Sequence, residues 1–490
     1  MKKHILSGLL LSTLIFLNAC SVNPVTGKKQ VVFMSTEQEI AMGKNADPQI
    51  IAEYGLYENK ELQSFISQKG KQMAAISHRP EINYEFKIVD SEVLNAFAVP
   101  GGYVYFTRGI MANFNNEAEF AGVLGHEIGH ITARHTVAQQ RNSILGQIGL
   151  IGAMVVSPDL ARYGEQVSQG LGLLLLKFGR DAERESDKLG VEYSSKIGYD
   201  AQQMAGFFNT LERSRPVGSE ELPDFLSSHP NPGDRNVAVA ALATEWKQKL
   251  NLTSPQINRN SYLRRIEGLI YGEDPKQGFV ENNVFYHPEL KFQFNIPTNW
   301  GFKNSPQMVQ MAPKDGKAIM NMTLLQGKSI QEAASNMLQQ NGLQSIENRE
   351  ITVNGLRAIS IVADVAPQQN QQQQGQQQQQ QQPIRTLSYI IQFGNAYYHI
   401  MGISRTVDFN NYAQSFQNTM QSFRELKDVA KLTKKPDRIR IKTVAQTATL
   451  DQILRGYNME SKKLEELAVL NGMRLTDRVE KGTMIKIISF

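Results

Sequence analysis

The chain has 490 residues, 52 Lys+Arg against 47 Asp+Glu for a net charge of +5, 41% hydrophobic residues and one cysteine. This is globular composition at a length of about three domains, which excludes a disordered chain and a multi-span membrane protein. A single cysteine excludes an intramolecular disulfide and a cysteine-based zinc knuckle, and so small a charge with no Lys/Arg block excludes nucleic acid as an expected partner.

Met1-Lys2-Lys3-His4 precede an apolar run from Ile5 to Leu17. A basic start and a short apolar run predict a secretory signal over residues 1–19, too short to span a bilayer comfortably. The run ends in Leu17-Asn18-Ala19-Cys20, which resembles a bacterial lipobox and makes Cys20 the expected lipidation site. Ser21 then resembles an outer-membrane address. Acyl chains, at about 0.8 kcal/mol per buried CH₂, would hold the protein on that membrane. The expected location is therefore periplasmic, lipid-anchored, at the outer membrane.

Residues 20–34 read as a tether. Ser35 with Gln38 three residues on predicts a capped helix start. Leu62, Phe65, Ile66 and Met73 mark one face of a second helix near Glu61–Ile76. Tyr84–Val89 and Ala96–Phe106 read as strands, the latter broken at Pro100-Gly101-Gly102. Asn116 and Glu119 open a helix expected to run past His135. Ile144–Val156 and Leu171–Leu176 are apolar but short of the ~20 residues a span needs, so they read as core helices.

A first domain is expected over 35–265, with a linker from Tyr271 to Gly278. A second, α+β unit spans 284–425, with strands Phe292–Ile296, Ala318–Leu325, Ala358–Val362 and Leu387–Phe393. Its helices are Ile330–Gln340 and Asn410–Ser422, and residues 368–382, with 13 Gln in 15 positions, read as a surface loop. Residues 436–490 read strand–helix–helix–strand, with Asn471-Gly472 as a turn. This βααβ pattern resembles a LysM module, which implies contact with peptidoglycan; Thr447-Ala448-Thr449-Leu450 stands where that family has Gly-Asp/Glu-Thr-Leu.

The chemistry is concentrated in His126-Glu127-Ile128-Gly129-His130. Histidines at i and i+4 share a helix face and can grip one zinc ion, while Glu127 reaches the reacting water rather than the metal. A third protein ligand is then required. The metzincin spacing is excluded, because Ala133 and Thr136 stand at its Gly and His positions. His135 is one residue too early and would point about 100° off the helix face. A carboxylate from Arg180-Asp181-Ala182-Glu183-Arg184-Glu185-Ser186-Asp187 would complete a His₂Glu site. If Glu183 is that ligand, Asp187 shares its face and can accept the distal N–H of a ligand histidine.

These motifs resemble the HtpX-like/CAAX prenyl endopeptidase gluzincins, in their periplasmic lipoprotein branch. The likeness covers about residues 22–250. It rests on Asn23-Pro24-Val25-Thr26-Gly27, Asn95-Ala96-Phe97-Ala98, Pro100-Gly101-Gly102 and His126–His130. It rests further on Arg180-x-x-Glu183-x-x-x-Asp187 and on His229-Pro230 with Arg235. Ser186 replaces the usual Ala before Asp187. The resemblance implies a mainly helical zincin domain with a small edge-strand sheet, one zinc per chain held by His126, His130 and Glu183, and Asp187 and Arg180 supporting that shell. It implies Glu127 as general base, and His229 as oxyanion donor or as a fourth ligand that shuts the resting site. It also implies Asn95–Ala98 as the strand to which a substrate adds. The implied activity is metalloendopeptidase action on unfolded or misassembled envelope proteins. The competing expectations are a zinc-containing assembly factor and a cell-wall scaffold.

Overall fold

A computed structural model describes residues 20–27, 29–31, 34–139, 178–214, 224–229, 235–365 and 383–490. The signal at 1–19, the apolar runs Ile144–Val156 and Leu171–Leu176, and the glutamine tract 368–382 lie outside the described residues. Among the described residues no helix is long and apolar enough to cross a membrane. They fall into two compact units, one of residues 20–139, 178–273 and 436–490, the other of 274–435. The molecule is mixed α/β and multidomain, as its sequence predicts.

In the first unit, β1 (Cys20–Val22) pairs antiparallel with β2 (Lys29–Val31). The intervening Asn23 folds a turn on itself: its Oδ1 accepts from Val25 N and Thr26 N at 2.8 and 3.0 Å. Helix α1 (Thr36–Tyr54) begins with the expected capping box, Ser35 and Gln38 each bonding the other's backbone. Helix α2 (Lys60–Ala74) buries Leu62, Phe65, Ile66 and Met73, the face its periodicity predicts. Strands β3 (Glu85–Val89), β4 (Ala96–Val99) and β5 (Tyr103–Thr107) form a sheet in the order β3-β5-β4, which leaves β4 at an edge. Gly101 and Gly102 sit at φ +83° and +101°, conformations that favour glycine, and so make the turn between β4 and β5.

Short α3 (Arg108–Asn113) leads to α4 (Glu117–Thr132), whose residues are all buried. A helix buried on every side is a core helix, and α4 is the axis of this unit. Helices α5 (Arg180–Lys196), α6 (Gln202–Arg213), α7 (Asp224–Ser228), α8 (Arg235–Lys249) and α9 (Arg259–Arg265) follow.

The second unit carries a four-stranded sheet of β6 (Phe279–Glu281), β7 (Val284–His287), β8 (Phe292–Asn295) and a later β16 (Arg424–Glu425). Its larger sheet is antiparallel throughout. The strands are β9 (Trp300–Asn304), β10 (Val309–Pro313), β11 (Ala318–Leu325), β12 (Leu343–Val353), β13 (Leu356–Val365), β14 (Ile384–Phe393) and β15 (Ala396–Arg405). They run in the order β12-β13-β14-β15-β11-β10-β9. Helices α10 (Ile330–Gln340) and α11 (Phe409–Gln421) pack on it through Met337 and Phe416.

Residues 436–490 form β17 (Arg438–Thr443), β18 (Ala448–Thr449), α12 (Leu450–Gly456), α13 (Leu464–Leu470), β19 (Arg478–Val479) and β20 (Met484–Ser489). The two helices lie between β17 and β20 where the sequence reading puts them, and the two-residue strands β18 and β19 are additional to it. Ile439, Leu450, Leu454, Leu467 and Ile487 belong to the same hydrophobic core as Phe114, Phe120 and Tyr262 of the first unit.

Candidate metal centre

Helix α4 is started by Asn116, whose Oδ1 accepts from Glu119 N at 2.8 Å, while Glu119 Oε2 accepts from Asn115 N at 2.7 Å. Being four residues apart on a helix of 3.6 residues per turn, His126 and His130 leave α4 on one side. Helix α5 lies against that side at unusually close range. A Cβ at Gly190 would stand 2.9 Å from Gly122 O, and one at Gly125 would stand 3.0 Å from Gly190 Cα, so both positions need glycine for the approach. The result brings Glu183 and Asp187, one turn apart on α5, opposite the two histidines.

His126, His130, Glu183 and His229 offer one donor atom each within 4.8 Å of one another, and all four are buried. His130 Nε2 is 3.0 Å from His126 Nε2, and His229 Nδ1 is 3.2 Å from His126 Nε2 and 3.0 Å from Glu183 Oε1. His130 Nε2 lies 3.3 Å from Glu183 Oε1. Zn–N bonds of about 2.0–2.1 Å set tetrahedral donors roughly 3.3 Å apart, so this spacing fits the ion. The chemistry of the set fits too: two ring nitrogens at this distance can share only one proton, whereas a cation uses every lone pair. Both oxygens of Glu127 are buried without a hydrogen bond, as acceptors beside a cation and its water would be, while Glu183 Oε2 pairs with Arg235 Nη2 at 3.3 Å.

The surroundings shift the donors in different directions: burial lowers the His126 imidazole, but the Asp187 and Glu183 carboxylates outweigh it and push it up to about 9. Burial opposes ionisation of Glu183, yet His229 and His126 hold its carboxyl well below the usual carboxylate range. Burial drives His130 well below the ordinary imidazole value. Burial also pushes the Glu127 carboxyl up, against the pull of His229 and His126. Asp187 Oδ1 is 2.9 Å from His126 Nδ1, and Arg235 clamps the same carboxylate with Nε at 2.8 Å and Nη2 at 2.7 Å. Since the carboxylate only accepts, His126 carries its proton on Nδ1 and presents Nε2 to the cluster. Aromatic walls hold the other rings: Phe178 stacks on His130 at 4.0 Å and Phe225 on His229 at 4.6 Å.

Sequence reading and structure differ at three places. Arg180 is exposed at the first position of α5, and the guanidinium on Asp187 is that of Arg235, from α8. Helix α4 does not run past His135; it ends at Thr132, and Arg134 adopts φ +59° while its Nη2 bonds Met34 O at 2.7 Å. The strand segment 95–98 is at the sheet edge, as expected, but Leu94 O accepts from Phe225 N at 2.9 Å and Ala96 O lies 3.3 Å from His229 Nε2. Segment 224–229 thus occupies part of that edge. His229 also stands 3.7 Å from Glu127 Oε1. Cys20 lies in β1; its side chain is outside the described residues.

Residues 59–243 match the profile of Peptidase family M48. The matched peptidase segment contains all four donors, Glu127, Asp187 and Arg235. The chain is 30% identical to a beta-barrel assembly-enhancing protease of Yersinia pestis over 328 residues, 64% of this chain and 62% of the relative. It is 31% identical to mitochondrial metalloendopeptidase OMA1 of Arabidopsis thaliana over 180 residues, 36% of each chain. The human mitochondrial metalloendopeptidase OMA1 shares 25% identity over 246 residues, 46% of each chain. The chain thus spans under two thirds of the length of these curated relatives.

Proposed function

We propose that this chain is a zinc-dependent metalloendopeptidase acting on misfolded or misassembled cell-envelope proteins. The observation that carries the reading is the buried cluster of His126, His130 and Glu183 beside a buried Glu127 whose carboxylate makes no hydrogen bond. The family match and the protease relatives support it. A structural zinc site would have no use for an unbonded carboxylate, whose burial without a partner costs stability. That weighs against an assembly factor with structural zinc.

His126, His130 and Glu183 would hold one zinc ion, which when bound supplies a Lewis acid and an activated water. Glu127 takes the proton from the attacking water on one Oε and returns it to the leaving amine; burial raises its basicity toward that task. Asp187 and Arg235 hold His126 in the tautomer that leaves Nε2 free. An extended substrate segment would bond the β4 edge through its main chain, which gives affinity with little demand on sequence. His229 supplies a fourth donor in the arrangement described, and segment 224–229 must leave β4 for that bonding to occur.

The finer assignments belong to the same proposal. The matched segment is a zincin of the HtpX-like/CAAX prenyl endopeptidase type, within a domain at 35–265. Residues 284–425 are an accessory domain, and 436–490 are a LysM-like module with contact to peptidoglycan. The chain is exported and anchored through lipid on Cys20 at the outer membrane. The deciding experiment is Glu127→Gln: zinc content stays at one per chain and casein cleavage is lost. Cleavage at the wild-type rate would refute the mechanism.

A further inference from the structure

His135 lies outside the four donors yet touches one of them. The left-handed Arg134 ends the straight course of α4, and a new helical turn runs over 135–139. This break swings the His135 ring back over the preceding turn. Its Nδ1 then stands 3.0 Å from His130 Nδ1, and its Nε2 stands 3.1 Å from Glu185 Oε2. Ser186 Oγ is 3.3 Å from the same Nδ1. Both rings are buried, while the Glu185 side chain is about a quarter exposed, at 27%.

The proton positions follow from one requirement. His130 must keep the Nε2 lone pair for the cation, so its proton sits on Nδ1. His135 Nδ1, 3.0 Å away, is then the acceptor. The proton of His135 is thereby placed on Nε2, facing a carboxylate that can only accept. The Ser186 hydroxyl donates toward the same Nδ1 lone pair. Donation runs one way, from His130 Nδ1–H to His135 Nδ1 and from His135 Nε2–H to Glu185 Oε2.

We propose that His135 and Glu185 form a positioning relay that sets the tautomer and orientation of His130, as Asp187 does for His126. The inference rests on His126, His130 and Glu183 being the zinc ligands. It gives Glu185 a place next to that shell instead of in it. Support of this kind raises the basicity of the ligand nitrogen and restrains its ring. Unlike the Asp187 clamp, the relay ends on a carboxylate in contact with solvent.

The test uses the full chain loaded with zinc. Nitrogen-15 spectra of the histidine rings should show His130 protonated on Nδ1 and His135 on Nε2. Chelator competition should show His135→Leu weakening zinc binding by about 10–100-fold, the usual size of such a loss. His135→Gln, whose amide oxygen can accept, should recover most of that. Glu185→Gln should bind better than Glu185→Ala, and His135→Leu with Glu185→Ala should lose no more than His135→Leu alone. His135 protonated on Nδ1, wild-type affinity in His135→Leu, or losses that multiply would each overturn the relay. A wild-type chain that takes up no zinc would overturn the ligand assignment itself, which separates the two failures.

Discussion

His229 commits both ring nitrogens to atoms that a bound substrate would need. Nδ1 sits 3.0 Å from Glu183 Oε1 within the donor cluster, and Nε2 sits 3.3 Å from Ala96 O on the edge strand. Of the two roles its position in the sequence allows, the fourth donor agrees with this geometry, because an oxyanion donor would keep one N–H free for the reacting carbonyl. We expect His229→Ala to bind zinc more weakly and to cleave casein faster, several-fold, because the position it occupies is vacated. Cleavage that falls while zinc affinity holds would assign His229 to the transition state instead. Glu127 is the complementary case: Glu127→Gln keeps its volume and should lose cleavage alone.

At the scale of the element, the second unit's sheet contains an acid-sensitive side chain. His399 on β15 is buried, with Nε2 3.0 Å from Ser388 Oγ on neighbouring β14. Loss of hydration in the sheet interior holds its imidazole down at about 4, against an ordinary 6.5. The native state therefore binds fewer protons than the unfolded chain between those values. The stabilisation from a neutral His399 is complete above about pH 6.5 and is lost as pH falls through about 4. At about 1.36 kcal/mol per pH unit the loss totals roughly 3 kcal/mol. The urea midpoint of the unfolding step that reports this sheet should fall between pH 7 and 4.5. In His399→Gln, which keeps a donor to Ser388 and does not titrate, that fall should be smaller. An equal fall in both proteins would rule out His399 as its source.

At the scale of the whole molecule, residues 436–490 complete the core of the first unit. Lys486 on β20 is fully buried, and its Nζ donates to Ala112 O at 2.9 Å and Phe114 O at 3.1 Å, just ahead of the cap of α4. Burial lowers the pKa of this ammonium and raises that of Glu119 nearby, while their opposite charges oppose both shifts. Lys486→Met keeps the aliphatic stem but leaves two buried carbonyls without their donor, at about 1–3 kcal/mol each. We expect a melting temperature lower by several degrees, at about 2–4 °C per kcal/mol for a unit of this size. A chain ending before Pro436 should lose zinc binding as well. Unchanged melting in both would show that the segment only rests on the first unit.

Local chemistry made much of this legible in the sequence. The Ser35 and Asn116 caps, the glycine turn at 101–102 and the i, i+4 histidines depend on residues within a few positions of each other. Strands β17 and β20, the two helices between them and helix α10 follow from short-range periodicity in the same way. Strand β12 was not legible, because the polar run Glu347-Asn348-Arg349-Glu350 breaks the apolar alternation a strand would show, as suits a largely exposed edge strand. Nor was the end of α4: the helix pattern continues through Arg134, and the break depends on Met34 and Glu39, some hundred positions away. The sequence by itself determined which side chains could bind a metal and which glutamate could serve as base, because those follow from residue type and helical spacing. Only the tertiary structure decided that Arg235 and not Arg180 holds Asp187, and that His135 reaches both His130 and Glu185. The first depends on α8 packing beside α5 and the second on a left-handed residue at 134, and contacts between distant segments carry no local signal.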